Sequence, residues 1–100
     1  MKTVRLRKVT IVAEAFLEER LLRAVRERGA RGFTVGEARG EGSRGVRASD
    51  WEGKNVRIET LVSEEAAGRI LEHVAQAYFP HFAVVAWVEA VEVVRGDKYV

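Results

Sequence analysis

Gly40-Glu41-Gly42-Ser43-Arg44-Gly45-Val46-Arg47-Ala48-Ser49-Asp50-Trp51-Glu52-Gly53-Lys54 divides the chain near its middle. It carries four glycines, two closely spaced arginines and one tryptophan, with almost no apolar periodicity. The fold turns on how it is read. Gly40, Gly42 and Gly45 spell G-x-G-x-x-G, which marks a dinucleotide-binding unit only where a strand precedes it and a helix opens directly behind it. Here the following residues stay polar and then run into a strand pattern from Asn55. A Rossmann unit is therefore excluded, and no G-x-x-x-x-G-K-[ST] occurs. What remains is a long loop, at residues 39–54, between two regular halves. Its glycines allow a ligand to approach backbone N–H groups, and its arginines offer forks of donors suited to phosphate. A solvated connector carries equal weight on composition, although loops of this length are more often functional.

Ahead of the loop, Val4-Arg5-Leu6-Arg7 alternates, and Val9-Thr10-Ile11-Val12 alternates on the other parity. Both read as strand, and the slip at Lys8 predicts a bulge or a change of exposed face. Residues 14–28 read as helix, with Phe16, Leu17, Leu21, Leu22, Ala24 and Val25 as the apolar stripe. Acidic residues lie early and arginines late, as the helix dipole favours, and Gly29 supplies the stop. Residues 33–38 form a short strand. Behind the loop, residues 55–62 read as strand. Ser63 caps a second helix whose stripe is Ala66, Ala67, Ile70, Leu71, Val74 and Ala75. It ends near Tyr78, because Pro80 blocks continuation. Residues 82–94 read as a long strand, apolar on both parities, and residues 95–100 as a short polar tail.

The halves repeat with a shift of 49: Leu17 meets Ala66, Leu21 meets Ile70, Leu22 meets Leu71, Val25 meets Val74 and Phe33 meets Phe82. Each half is strand, helix, strand. Two such units predict one α+β domain over residues 1–100. Its architecture is a ferredoxin-like duplicated β-α-β, a four-stranded antiparallel sheet with two helices on one face. Two helices cover one face only, yet the last strand is apolar on both. A closed homo-oligomer that buries the second face resolves this.

The chain has 100 residues, 47% hydrophobic and 32% charged, with a formal net charge of +2, so nothing demands nucleic acid. It has no cysteine, which removes disulfides and thiol chemistry. No apolar run is long enough to span a membrane and no secretory signal is evident, so a cytoplasmic location without membrane insertion is expected. His73 and His81 are not spaced as metal ligands, and no metal is expected. Ser43 and Ser49 lack partners for a nucleophilic triad, so no enzyme constellation emerges. Glu59 sits among apolar residues in a strand, bordering the loop or paired at an edge. Trp51 is a candidate partner anchor.

This plan resembles the PII signalling family, and in detail its PII-like branch typified by SbtB. The resemblance covers nearly the whole chain. It is carried by Gly32-Phe33-Thr34-Val35, by Gly40-x-Gly42-Ser43-Arg44-Gly45-Val46-Arg47, by Asn55-Val56-Arg57-Ile58-Glu59 and by Tyr78-Phe79-Pro80-x-Phe82-Ala83-Val84. It implies a homotrimer with adenine nucleotides (AMP, ADP, ATP or cyclic AMP) in clefts between subunits. It also implies a T-loop, here residues 39–54, that changes shape with the bound nucleotide. That loop docks on a target such as a membrane transporter or an enzyme, with recruitment to the membrane only through that target.

By position, the resemblance places Gly32, Phe33, Thr34 and Val35 along the nucleotide cleft. Gly40 and Gly42 bring backbone N–H groups to phosphate, with Ser43 beside them. Arg44 and Arg47 bind phosphate oxygens, and Asn55 and Glu59 lie on the third strand of the site. Arg44, Val46, Arg47 and Trp51 are the implied partner-binding residues.

The loop lacks the modifiable tyrosine of true PII proteins. Tyr78-Phe79-Pro80-His81 replaces their second glycine-rich loop, and Asn55 stands where they carry lysine. Sensing of ATP together with 2-oxoglutarate is therefore not expected, and neither is the redox control tied to a cysteine-bearing extension.

Three functions stay open: a nucleotide-binding regulator, a metal-binding (divalent-ion-tolerance-like) or enzymatic ferredoxin-like trimer, and an oligomeric scaffold without ligand. The paired arginines and the lack of clustered His or Cys favour the first.

Overall fold

A computed structural model describes residues 1–40 and 54–99. The strands are β1 (Thr3–Glu14), β2 (Thr34–Ala38), β3 (Asn55–Val62) and β4 (Val85–Val94). The helices are α1 (Glu18–Glu27), preceded by a 3-10 turn at Ala15–Leu17, and α2 (Glu64–Ala77). A second 3-10 turn, Gly96–Tyr99, follows β4. The strands lie in the order β2-β3-β1-β4 and every neighbouring pair is antiparallel. This is the expected duplicated β-α-β plan.

The helix ends follow from local chemistry. Ser63 Oγ accepts a hydrogen bond from the Ala66 N–H at 3.1 Å, and Glu64 and Glu65 occupy the first turn of α2. α1 stops at Gly29, whose φ of 118° suits glycine alone. There the Ala30 N–H reaches the Val25 carbonyl at 3.0 Å and the Gly29 N–H reaches that of Arg26 at 3.2 Å, which is the Schellman pattern.

Both helices pack on one sheet face. The 49-residue repeat reappears in the core: Leu17 and Ala66, Leu21 and Ile70, and Val25 and Val74 are all buried there, against Val9, Ile11, Ala13, Ile58 and Val62. Each such Leu, Ile or Val contributes about 1.5–3 kcal/mol by leaving water.

The parity slip in β1 is the change of exposed face and not the bulge. The ladder runs without interruption through Lys8, opposite Leu61 on β3 and Glu89 on β4. Val9, Ile11 and Ala13 face the helices. Val4 and Leu6 face the other side, where the C-terminal turn lies against Val4, and Leu6 is buried. The two ends of one straight strand bury opposite faces.

Two other boundaries differ from expectation. Residue 14 ends β1 rather than opening a helix, and residues 15–17 form a 3-10 turn before α1. Residues 82–84 are not strand. The Phe82 N–H bonds to the Tyr78 carbonyl at 2.9 Å and the Val84 N–H to the Phe82 carbonyl at 3.0 Å, so a turn persists until β4 opens at Val85. Phe82 spends its apolar surface on Phe16 and Tyr78 instead, at ring separations of 5.9 Å in both pairs.

β4 is an edge strand. Val88 and Val94 on the helix side, and Val85 on the open side, are 42%, 51% and 52% exposed. This is the doubly apolar strand of the sequence, and the described residues leave these valines exposed.

Candidate functional site

The open sheet face carries a charged row over its centre. Register places Thr34 opposite Glu59, Gly36 opposite Arg57 and Ala38 opposite Asn55. Asn55, Arg57 and Glu59 therefore alternate onto one face beside β2. Glu59 accepts from Arg57 Nε at 2.9 Å and lies 3.8 Å from Lys8 Nζ, which is 3.6 Å from Glu89. Trp87 Nε1 donates to Glu89 at 3.2 Å, and the Arg57 guanidinium lies 5.5 Å from the Trp87 ring centroid. Thr10, in register with both Glu59 and Trp87, is fully buried, and its hydroxyl has no partner among the described residues.

At one end of this row lies a cleft of about 300 Å³. Residues 32–34 and 59–61 line it, with Lys8 and Tyr99. The approach to β2 is held in place by Thr60, which is buried on the helix side and donates its hydroxyl to the Gly32 carbonyl at 2.6 Å. Arg26 fixes the neighbouring ring, its guanidinium 4.8 Å from the centroid of Phe33. A Cβ on Gly32, Gly36 or Gly40 would meet nothing within 4 Å, so packing inside the chain does not require glycine at these positions.

From the cleft the row runs along β2 and β3 to the ends of the loop, four residues away, or about 13 Å at strand rise. The loop base is anchored: the Ala15 N–H donates to the Lys54 carbonyl at 3.0 Å, and Lys54 Nζ pairs with Glu37 at 3.3 Å.

The structure thus brings Gly32, Phe33, Thr34 and Glu59 together. The Val35 side chain packs against the core instead, in register with Ile58. Asn55 shares the face of Glu59 at the loop end of the row, and Gly40 closes the described part of β2's exit. Gly42, Ser43, Arg44, Val46, Arg47 and Trp51 lie outside the described residues. Lys8, Thr60, Leu61 and Tyr99 line the cleft without having been expected there. Lys8 sits at the parity switch of β1, which is the one local signal that sets it apart.

A second polar cluster joins the helices away from the cleft. Arg28 Nη2 lies 2.9 Å from His73 Nδ1, Arg28 Nη1 donates to the Ala24 carbonyl at 3.1 Å, and Arg69 donates twice to the Arg28 carbonyl. Guanidinium only donates, so Nδ1 accepts and the neutral ring carries its proton on Nε2. Burial and then the Arg28 charge hold the His73 pKa below its ordinary value of 6.5, with Glu27 opposing. Among the described residues no group of three or more His, Asp or Glu could hold a metal ion, and no helix is long and apolar enough to cross a membrane.

The family model for nitrogen regulatory protein P-II matches residues 6–98. The chain belongs to the nitrogen regulatory protein P-II family. Among solved structures it is similar to a PII-like signalling protein of Thermus thermophilus, with 60% identity over 100% of both chains and a TM-score of 0.88. It is also similar to CPII of Thiomonas intermedia bound to ADP, AMP and acetate. That match has 27% identity, covers 99% of this chain and 98% of the other, and has a TM-score of 0.86. The same CPII bound to ADP and bicarbonate matches at 27% identity over 98% and 97% of the two chains, with a TM-score of 0.84. The expected PII-like fold is thereby established.

Proposed function

We propose that this PII-family protein is a signalling regulator that binds an adenine nucleotide at the cleft of Gly32, Phe33, Thr34 and Glu59. It relays occupancy to a target protein through residues 39–54. The observation that carries this reading is the cleft itself: it gathers, from two strands 25 residues apart in sequence, the segments that the family resemblance marks for nucleotide. Support comes from the 27%-identical CPII, which holds ADP and AMP. The unpacked glycines at 32, 36 and 40 leave the backbone open along the whole path from cleft to loop.

In this reading the base enters the cleft, and the phosphates lie along the Thr34–Ala38 strand toward Asn55 and Gly40. Arg44 and Arg47 complete the phosphate end by sequence position. Trp51 and Val46, with the two arginines, form the docking surface for the target, for which a membrane transporter is the first candidate and a soluble enzyme the second. The uncovered valines of β4 are the contact through which three copies close into a trimer, each neighbour walling the next cleft. The protein works by binding, with no reaction of its own.

A thermal-shift screen tests the reading. A ligand that binds only the folded state raises the melting temperature, by an amount that grows with its concentration over Kd. ADP and AMP are expected to raise it and inorganic phosphate far less. No shift with any adenine nucleotide would reject the site.

A further inference from the structure

The C-terminal turn is routed to the cleft by two backbone features. Arg95 adopts φ 64°, in the left-handed region, and reverses the chain after β4. Gly96 then sits so close to β1 that a Cβ on it would stand 2.8 Å from Val4 Cβ, a separation real side chains do not tolerate. Gly96 is buried there, and the turn it opens carries Tyr99 into the cleft lining beside Lys8 and residues 32–34.

Two aromatic residues line the cleft. Phe33 already has the Arg26 guanidinium 4.8 Å from its centroid. Tyr99 joins none of the aromatic or cation–π pairs among the described residues. The charged lining is committed as well, since Lys8 pairs with both Glu59 and Glu89. Of the aromatic residues lining the cleft, Tyr99 is therefore the one without a ring or guanidinium partner among the described residues, and the charged groups beside it are paired with one another.

We propose that Tyr99 is a specificity residue, the aromatic wall on which the base of a bound nucleotide stacks. The C-terminal turn then makes the cleft selective for ligands with a flat heteroaromatic ring over bare phosphates. The proposal rests on the nucleotide-binding reading above and extends it to a residue and an element outside the segments that the resemblance marks. Stacking of a base on an aromatic side chain contributes about 1–3 kcal/mol, or about fivefold to a hundredfold in affinity.

Calorimetric titration with ADP of wild type, Tyr99→Phe and Tyr99→Leu decides it. Leucine keeps apolar bulk at the end of the chain but has no π-face. The expected result is wild-type affinity for Tyr99→Phe and a fivefold to hundredfold loss for Tyr99→Leu, with unchanged melting temperatures for the free proteins. Equal affinity of wild type and Tyr99→Leu overturns the stacking role while leaving the nucleotide site standing. Equal losses in Tyr99→Phe and Tyr99→Leu overturn it too, because the hydroxyl rather than the ring would then be what counts. Absence of ADP binding by the wild type overturns both the site and the proposal.

Discussion

The Thr60 hydroxyl donates to the Gly32 carbonyl at 2.6 Å, tying an inner strand of the sheet to the segment that enters β2. Thr60 is buried and the bond is part-buried, so it holds one wall of the cleft. Thr60→Val preserves the shape and removes the donor. The variant is expected to lose about 1 kcal/mol of stability in urea unfolding and to bind nucleotide more weakly, because Gly32 is no longer pinned. Unchanged stability and affinity would show that the bond does not position the cleft.

The His73–Arg28 contact gives a pH dependence with a definite sign. The folded pKa lies below 6.5, so the native state favours the neutral ring and binds fewer protons than the unfolded chain. The stabilisation is fully present above about pH 6.5 and is lost as pH falls through the window between the unfolded and folded values. The melting temperature should therefore drop on acidification from about pH 8 to pH 5, and His73→Gln should reduce that slope. A slope identical in the variant would assign the pH dependence to other groups.

Much of this fold is legible in the sequence. Alternation alone gives β3 with its observed ends, Ser63 and Pro80 bracket α2, and the 49-residue repeat anticipates the paired core residues of the two helices. The failures have physical causes. Local pattern cannot say which element covers which face, so the parity change at Lys8 leaves a bulge and a change of face both open, and only the unbroken ladder shows that it records two different covers on one strand. Phe82 and Val84 continue the apolar run of β4, yet the Tyr78 carbonyl captures the Phe82 N–H and holds the segment in a turn. The cleft is half legible. Gly32, Phe33, Thr34 and Glu59 follow from the family resemblance, whereas Lys8 and Tyr99 reach it only through register and through the reversal at Arg95, which are tertiary facts.

The exposed valines of β4 carry the expectation of assembly. Light scattering should return about three times the 11.2 kDa chain mass. Val88→Glu, which places a charge on the uncovered edge, should shift the protein toward monomer and weaken nucleotide binding in parallel, if a neighbour completes the cleft. A monomeric wild type at micromolar concentration would contradict the trimer and its shared site.

Arg44 and Arg47 stand three residues apart in a glycine-rich segment. Each charge-assisted contact to phosphate is worth about 1.5–3 kcal/mol. Arg44→Ala or Arg47→Ala should therefore weaken ADP binding about tenfold to a hundredfold, with little change in unfolding free energy. Arg47→Lys should recover part of the loss, since lysine keeps the charge but not the fork. Undiminished binding in both alanine variants would remove the pair from the phosphate site and leave it to the docking surface alone.

The cleft at Gly32, Phe33, Thr34 and Glu59 is proposed to take an adenine nucleotide. Isothermal titration of the purified wild-type protein with ADP and with AMP tests it most directly. Saturable binding with one site per chain is the predicted result, reduced by Thr60→Val. A folded protein that gives no saturable heat with either nucleotide at millimolar concentration would contradict it.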